Sequence, residues 1–84
     1  MLNVDYVIYC PIREEYAYYE FSNHYQGFSF GTIMQADGFN DAAKALNHIT
    51  GLISPTGRVL VKKDPEIEGC VVLKRTTMTE VEPA

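Results

Sequence analysis

Along the first ten positions Leu2, Val4, Tyr6, Ile8 and Cys10 alternate with Asn3, Asp5, Val7 and Tyr9. A two-residue period sets one side of an extended segment against a core, so the pattern predicts a strand, closed by Pro11. Glu15–Asn23 is rich in Tyr and Phe, and Phe28, Phe30, Thr32 and Met34 alternate after Gly27. Such residues suit a pleated surface, and the two runs together predict a hairpin turning near His24–Gly27. On that reading Ala17, Tyr19 and Phe21 share the core side, while Tyr16, Tyr18 and Glu20 face outward. The same stretch also fits a helix over Arg13–Asn23, entered at Pro11 and burying Ile12, Tyr16 and Tyr19.

Further on the period lengthens. Ala42, Ala43, Leu46 and Ile49 fall on one face of a helix over about 41–50, with Asn40 as N-cap, Asp41 in the first turn and Gly51 as a left-handed stop. After the turn Ser54-Pro55-Thr56-Gly57, the run Arg58–Lys63 sets Val59 and Val61 among basic residues, and Cys70–Thr79 is a second β-rich run. The loop Asp64–Gly69 joins these two as a hairpin. The expected fold is therefore α+β: one domain over 1–84, an antiparallel sheet of about five strands, and one helix on one face. Glu80–Ala84 reads as a frayed tail.

Charge divides the chain. The 84 residues carry a net charge of −4, but residues 1–41 hold one base, Arg13, against six acids, whereas residues 42–84 hold six bases against five acids. All six tyrosines and all four phenylalanines lie at or before Phe39, so the acidic half is also the aromatic half. An acidic balance argues against general affinity for nucleic acid or anionic membranes, which is driven by neutralising phosphate. The N-terminal MLNVDYVIY has no basic region and contains Asp5, and no run approaches the length of a membrane span, which points to a cytoplasmic protein. Cys10 and Cys70 lack the spacing of a zinc knuckle or a redox pair. In that compartment they are expected to be reduced, half-buried thiols, with an inter-strand disulfide as the alternative.

Catalytic signals are weak. His24 falls in a turn and His48 on the helix, and no nucleophile lies at a recognisable spacing from either. Ser29, in Gly27-Phe28-Ser29-Phe30-Gly31, has the spacing of a nucleophile elbow but not the strand-to-helix setting that motif needs. Glu14/Glu15 and Glu66/Glu68 read as solvated charges. No enzyme activity, cofactor or metal is expected.

The residues Gly27–Lys63 resemble the C-terminal half of an RNA-recognition motif, with an aromatic strand before a helix containing Ala45-Leu46-Asn47 and a fourth strand like Gly57–Val61. The resemblance implies single-stranded RNA binding, with Phe28 and Phe30 as stacking rings. The acidic, aromatic stretch from Glu14 to Glu20 points elsewhere. Tyrosine is enriched in interface cores, and carboxylates around it select a basic partner. By size and charge the chain is also similar to small phage inhibitors of the anti-CRISPR type, which implies action inside an infected cell. The expected function is thus a protein-binding domain whose Glu14, Glu15, Tyr16, Tyr18 and Glu20 occupy a basic, nucleic-acid-binding surface of a partner.

Overall fold

The computed structural model describes residues 2–83. Three strands come first: β1 (Leu2–Cys10), β2 (Glu15–Phe21) and β3 (Gln26–Gly31). The helix α1 (Ala42–Thr50) follows, then β4 (Leu52–Ile53), β5 (Val59–Val61), a 3₁₀ turn at Pro65–Ile67 and β6 (Val71–Met78). The main sheet is antiparallel in the order β3-β2-β1-β6, and β4 pairs with β5 in a separate two-stranded ribbon. The α+β expectation holds. The helical alternative for Arg13–Asn23 does not, because alternating Tyr and Phe satisfy a ladder from Tyr16↔Gly31 to Phe21↔Gln26. The turn falls at Ser22–Tyr25, closed by the Ser22 N–H donating to the Tyr25 carbonyl at 2.8 Å.

One expected pairing is corrected. Arg58–Lys63 and Cys70–Thr79 do not form a hairpin. Val59 and Val61 pair back onto Ile53 and Leu52, whereas β6 pairs with β1 from Leu2↔Met78 to Tyr9↔Val71. Eight consecutive pairs along the apolar first strand outweigh a local hairpin whose loop is taken up by the 3₁₀ turn.

The helix also departs in detail. Its N-cap is Asp41 rather than Asn40, with the Asp41 carboxylate accepting from the Ala43 N–H at 2.7 Å. Gly51, at φ 79°, ends it in the left-handed region and donates its N–H to the Asn47 carbonyl at 2.7 Å. The buried stripe is Ala45 and Ile49, while Ala42 and Ala43 are exposed and Leu46 is 47% exposed. The small Ala45 lets the helix lie close on β1 and β6, and that close approach turns Leu46 outward.

The core comprises Ile8, Cys10, Ala17, Phe28, Ala45, Ile49, Ile67 and Cys70, with Phe30, Phe39 and Val72 packed against it. Ala17 is buried as expected, but Tyr19 is 49% and Phe21 75% exposed, so the predicted core side of β2 is bare beyond its first turn of pleat. A nine-residue helix is roughly 13 Å long, and it contacts β1 and β6 rather than the far end of the hairpin.

The main sheet is forked. β1 and β2 pair only at Tyr9↔Tyr16 and Cys10↔Glu15. Continuing that register would set Tyr6 opposite Tyr19. Instead the backbone of Tyr6 exchanges two hydrogen bonds with Phe39, at 2.9 and 2.8 Å, and the Tyr19 N–H donates to Asp37 Oδ2 at 2.6 Å. The segment between β3 and α1 thus enters the gap between diverging strands and supplies partners to Tyr6 on one edge and to Tyr19 on the other. It is fastened by Arg75, which donates through Nε and Nη2 to Asp5 at 2.8 and 2.6 Å, and through Nη1 to the carbonyls of Ile33 and Ala36 at 3.0 and 3.3 Å. Gly38 passes over this pair, and any side chain there would collide with the Asp5 carboxylate. Residues 80–83 have no regular secondary structure, and the last residue of the expected tail lies outside the described residues.

Candidate functional site

The expected docking residues do not assemble as one face. Strand alternation puts Tyr16, Tyr18 and Glu20 on the side of β2 away from the helix. Tyr16 and Tyr18 are half-buried there: Tyr16 packs on Tyr9 at 4.9 Å between centroids, and the Tyr18 ring lies beside Gly31. Glu20 is exposed and accepts from the Ser29 hydroxyl at 2.6 Å. Glu14 sits apart in the β1–β2 turn at φ 55°, a conformation rare for a residue with a side chain, and Glu15 is directed to the opposite side with Ala17.

The freely exposed rings are others. Tyr19 meets Phe28 edge-on at 5.5 Å, and Phe21 and Tyr25 stand exposed at the hairpin end. The Tyr25 hydroxyl hydrogen-bonds to the Glu66 carboxylate and lies 2.9 Å from the Phe28 carbonyl. This bond to Glu66 is the main reason the Tyr25 phenol is pushed up to about 12, with desolvation and the charges of Glu66, Asp64 and Glu20 adding to it. Together Tyr19, Glu20, Phe21 and Tyr25 make an acidic, aromatic hairpin end. Its membership was hidden in the sequence because alternation assigns Tyr19 and Phe21 to the core. The only available signal was the shortness of the helix, which cannot cover a seven-residue strand from end to end.

Two clefts flank this region. One, of about 400 Å³, is lined by Arg13, Glu15, Tyr25, Phe28, Ser29, Phe30 and Glu66. The Arg13 guanidinium lies 4.4 Å above the Phe30 ring centroid. The other, of about 340 Å³, includes Tyr19, His48, Lys62 and Lys63. His48 is half-buried between Phe28 and Phe39, at 5.9 and 5.4 Å between centroids, and not the exposed helical residue its position suggests.

Phe28 is 4% exposed and belongs to the core, and Phe30 carries Arg13 on its face, so neither presents a bare ring for a base. Cys10 and Cys70 are free, buried thiols. Burial, then a hydrogen bond and charge interaction with Cys10, push the Cys70 thiol up to about 11, against a lowering influence of Arg13. Among the described residues no cluster of His, Cys, Asp and Glu could hold a metal ion, and no helix is long and apolar enough to cross a membrane. No protein-family model, curated protein or solved structure matches the chain.

Proposed function

We propose that this chain is a small, non-catalytic protein-binding domain that docks the end of its β2–β3 hairpin onto a basic surface of a partner. The observation that carries the reading is Phe21, 75% exposed beside the half-exposed Tyr19, on a strand whose neighbour in sequence is the exposed Glu20. A ring left in solvent at the end of a hairpin, as Phe21 is, costs the domain solubility and adds little to its core. Rings of this kind are the usual anchors of an interface.

The acids define the partner. Glu20, Glu66 and Asp64 surround Tyr25 at the hairpin end, Glu14 and Glu15 add charge at the far end of β2, and a surface so charged steers toward cationic patches. Nucleic-acid-binding grooves are cationic patches of this kind, so the most specific form of the reading is an inhibitor whose carboxylates replace phosphates and whose rings replace bases. RNA stacking on Phe28 and Phe30 has no support from their burial and from Arg13.

The test is capture from nuclease-treated host extract on immobilised protein, followed by elution with duplex DNA or RNA. A basic partner should be retained by wild type, lost with Tyr19→Ala/Phe21→Ala, and displaced by the nucleic acid. For the purified pair, Glu14, Glu15 and Glu20 changed to Gln should slow association and flatten its salt dependence. A partner held equally by the aromatic double variant, or one that nucleic acid cannot displace, would overturn this form of the reading.

A further inference from the structure

The cleft beside the β1–β2 turn already holds a cation. Arg13 is the only base in residues 1–41, and its guanidinium stacks on Phe30 at 4.4 Å. Among the described residues that guanidinium makes no hydrogen bond and no ion pair within 4.0 Å, unlike Arg75, which uses three nitrogens. It is carried on an exposed turn, not on a paired strand. Its contact is with the ring face, so little holds it in place.

Around it the cleft retains about 400 Å³, and Glu15 and Glu66 line the walls, two carboxylates against one guanidinium. Glu66 is held at the wall by the Tyr25 hydroxyl, while Glu15 is half-buried and has no ion pair among the described residues. A planar, weakly hydrated cation fits a flat ring flanked by carboxylates better than a compact ammonium does.

We infer that this cleft is a guanidinium-binding subsite, in which Arg13 is an intramolecular placeholder that an arginine of the basic partner replaces over Phe30. The inference rests on the docking reading above and supplies its chemistry: arginine rather than lysine, inserted side-on to the hairpin. Arg13 keeps the acidic cleft from capturing stray cations when the partner is absent. When displaced it swings out with the β1–β2 turn, and the incoming guanidinium gains Glu15 as an ion-pair partner in a site the interface dries.

The probe is N-acetyl-arginine methylamide, with the citrulline analogue as its neutral isostere, followed by NMR on the aromatic rings. The arginine probe should shift Phe30 and Tyr25 resonances and the citrulline probe should not. Arg13→Gln, by removing the internal competitor, should tighten the arginine probe about threefold, the size of an exposed cation–ring contact. Glu15→Gln, which leaves the core untouched, should weaken it. Equal binding of both probes, or an Arg13→Gln variant with unchanged or weaker binding, would overturn the inference. The two readings separate cleanly, since Tyr19 and Phe21 do not line this cleft. Failed arginine binding with partner capture still dependent on those rings removes the subsite alone. Arginine binding with capture indifferent to them removes the docking reading alone.

Discussion

The Tyr19 backbone N–H and the Asp37 carboxylate, 2.6 Å apart, close a gap that the β1–β2 ladder leaves open. A side chain here does the work of a strand. Asp37→Ala should therefore destabilise the domain by about 1–2 kcal/mol, the scale of a hydrogen bond to a charged acceptor. Asp37→Asn, which keeps an oxygen in place, should recover part of the loss. Urea melts measure both, and amide exchange at Tyr19 should quicken in the Ala variant.

A pH dependence follows from the Asp5–Arg75 pair. The hydrogen bond from Arg75, reinforced by its charge and partly opposed by desolvation, holds the Asp5 carboxyl below its ordinary value of 3.8. A depressed folded-state value means stability that is present above the unfolded value and lost as pH falls through the folded one. Wild type should thus exceed Asp5→Asn in stability at neutral pH, with the difference shrinking steadily below about pH 4. Arg75→Ala should cost about 2 kcal/mol at neutral pH, because Asp5 and the Ala36 carbonyl lose their donor and the Ile33 carbonyl keeps only the Ala36 N–H.

On the helix, Leu46 and Ile49 should respond to very different degrees. Ile49 is 8% exposed and within the core, so Ile49→Ala should cost about 2–4 kcal/mol. Leu46 is 47% exposed, and Leu46→Ala should cost well under half of that free energy in the same urea melt. Equal losses at both positions would mean that the helix turns a different face to the sheet.

The thiols offer a labelling test. Because Cys70 is buried and its thiol is pushed up to about 11, it is almost wholly protonated at pH 8. Iodoacetamide should label it far more slowly in the native protein than after unfolding, and the denatured, unreduced chain should take two labels.

The elements were legible where one local signal sufficed. Alternation through Leu2–Cys10, the apolar period near 42–50 and the rings on either side of Ser22–Tyr25 each gave the right element. What alternation does not encode is the extent of cover on a face. Tyr19 and Phe21 have the pattern of core residues and are exposed because α1 stops short of them. Pairing partners were hidden for a related reason: Val59–Val61 and Val71–Met78 both have strand character, and nothing in either run says that only the second reaches β1. The candidate site suffered most, since Arg13, Tyr25 and Glu66 come together from a turn, a hairpin end and a 3₁₀ turn far apart in sequence.

The fork in the sheet has a consequence for how the molecule comes apart. β6 is zipped to β1 over eight pairs, whereas the β2–β3 hairpin is laddered to β1 through two pairs only and is held otherwise by the Asp37 contact and by the packing of Ala17 and Phe28 in the core. Such an attachment defines two cooperative units, with the hairpin the weaker one. The core contacts of Ala17 and Phe28 are what it must give up to open about the Tyr9–Tyr16 pair. Its amides should then exchange with solvent at a lower opening energy than those of β1. A partner that grips the hairpin end would raise that energy, and so stiffen the half of the protein that is loosest when alone.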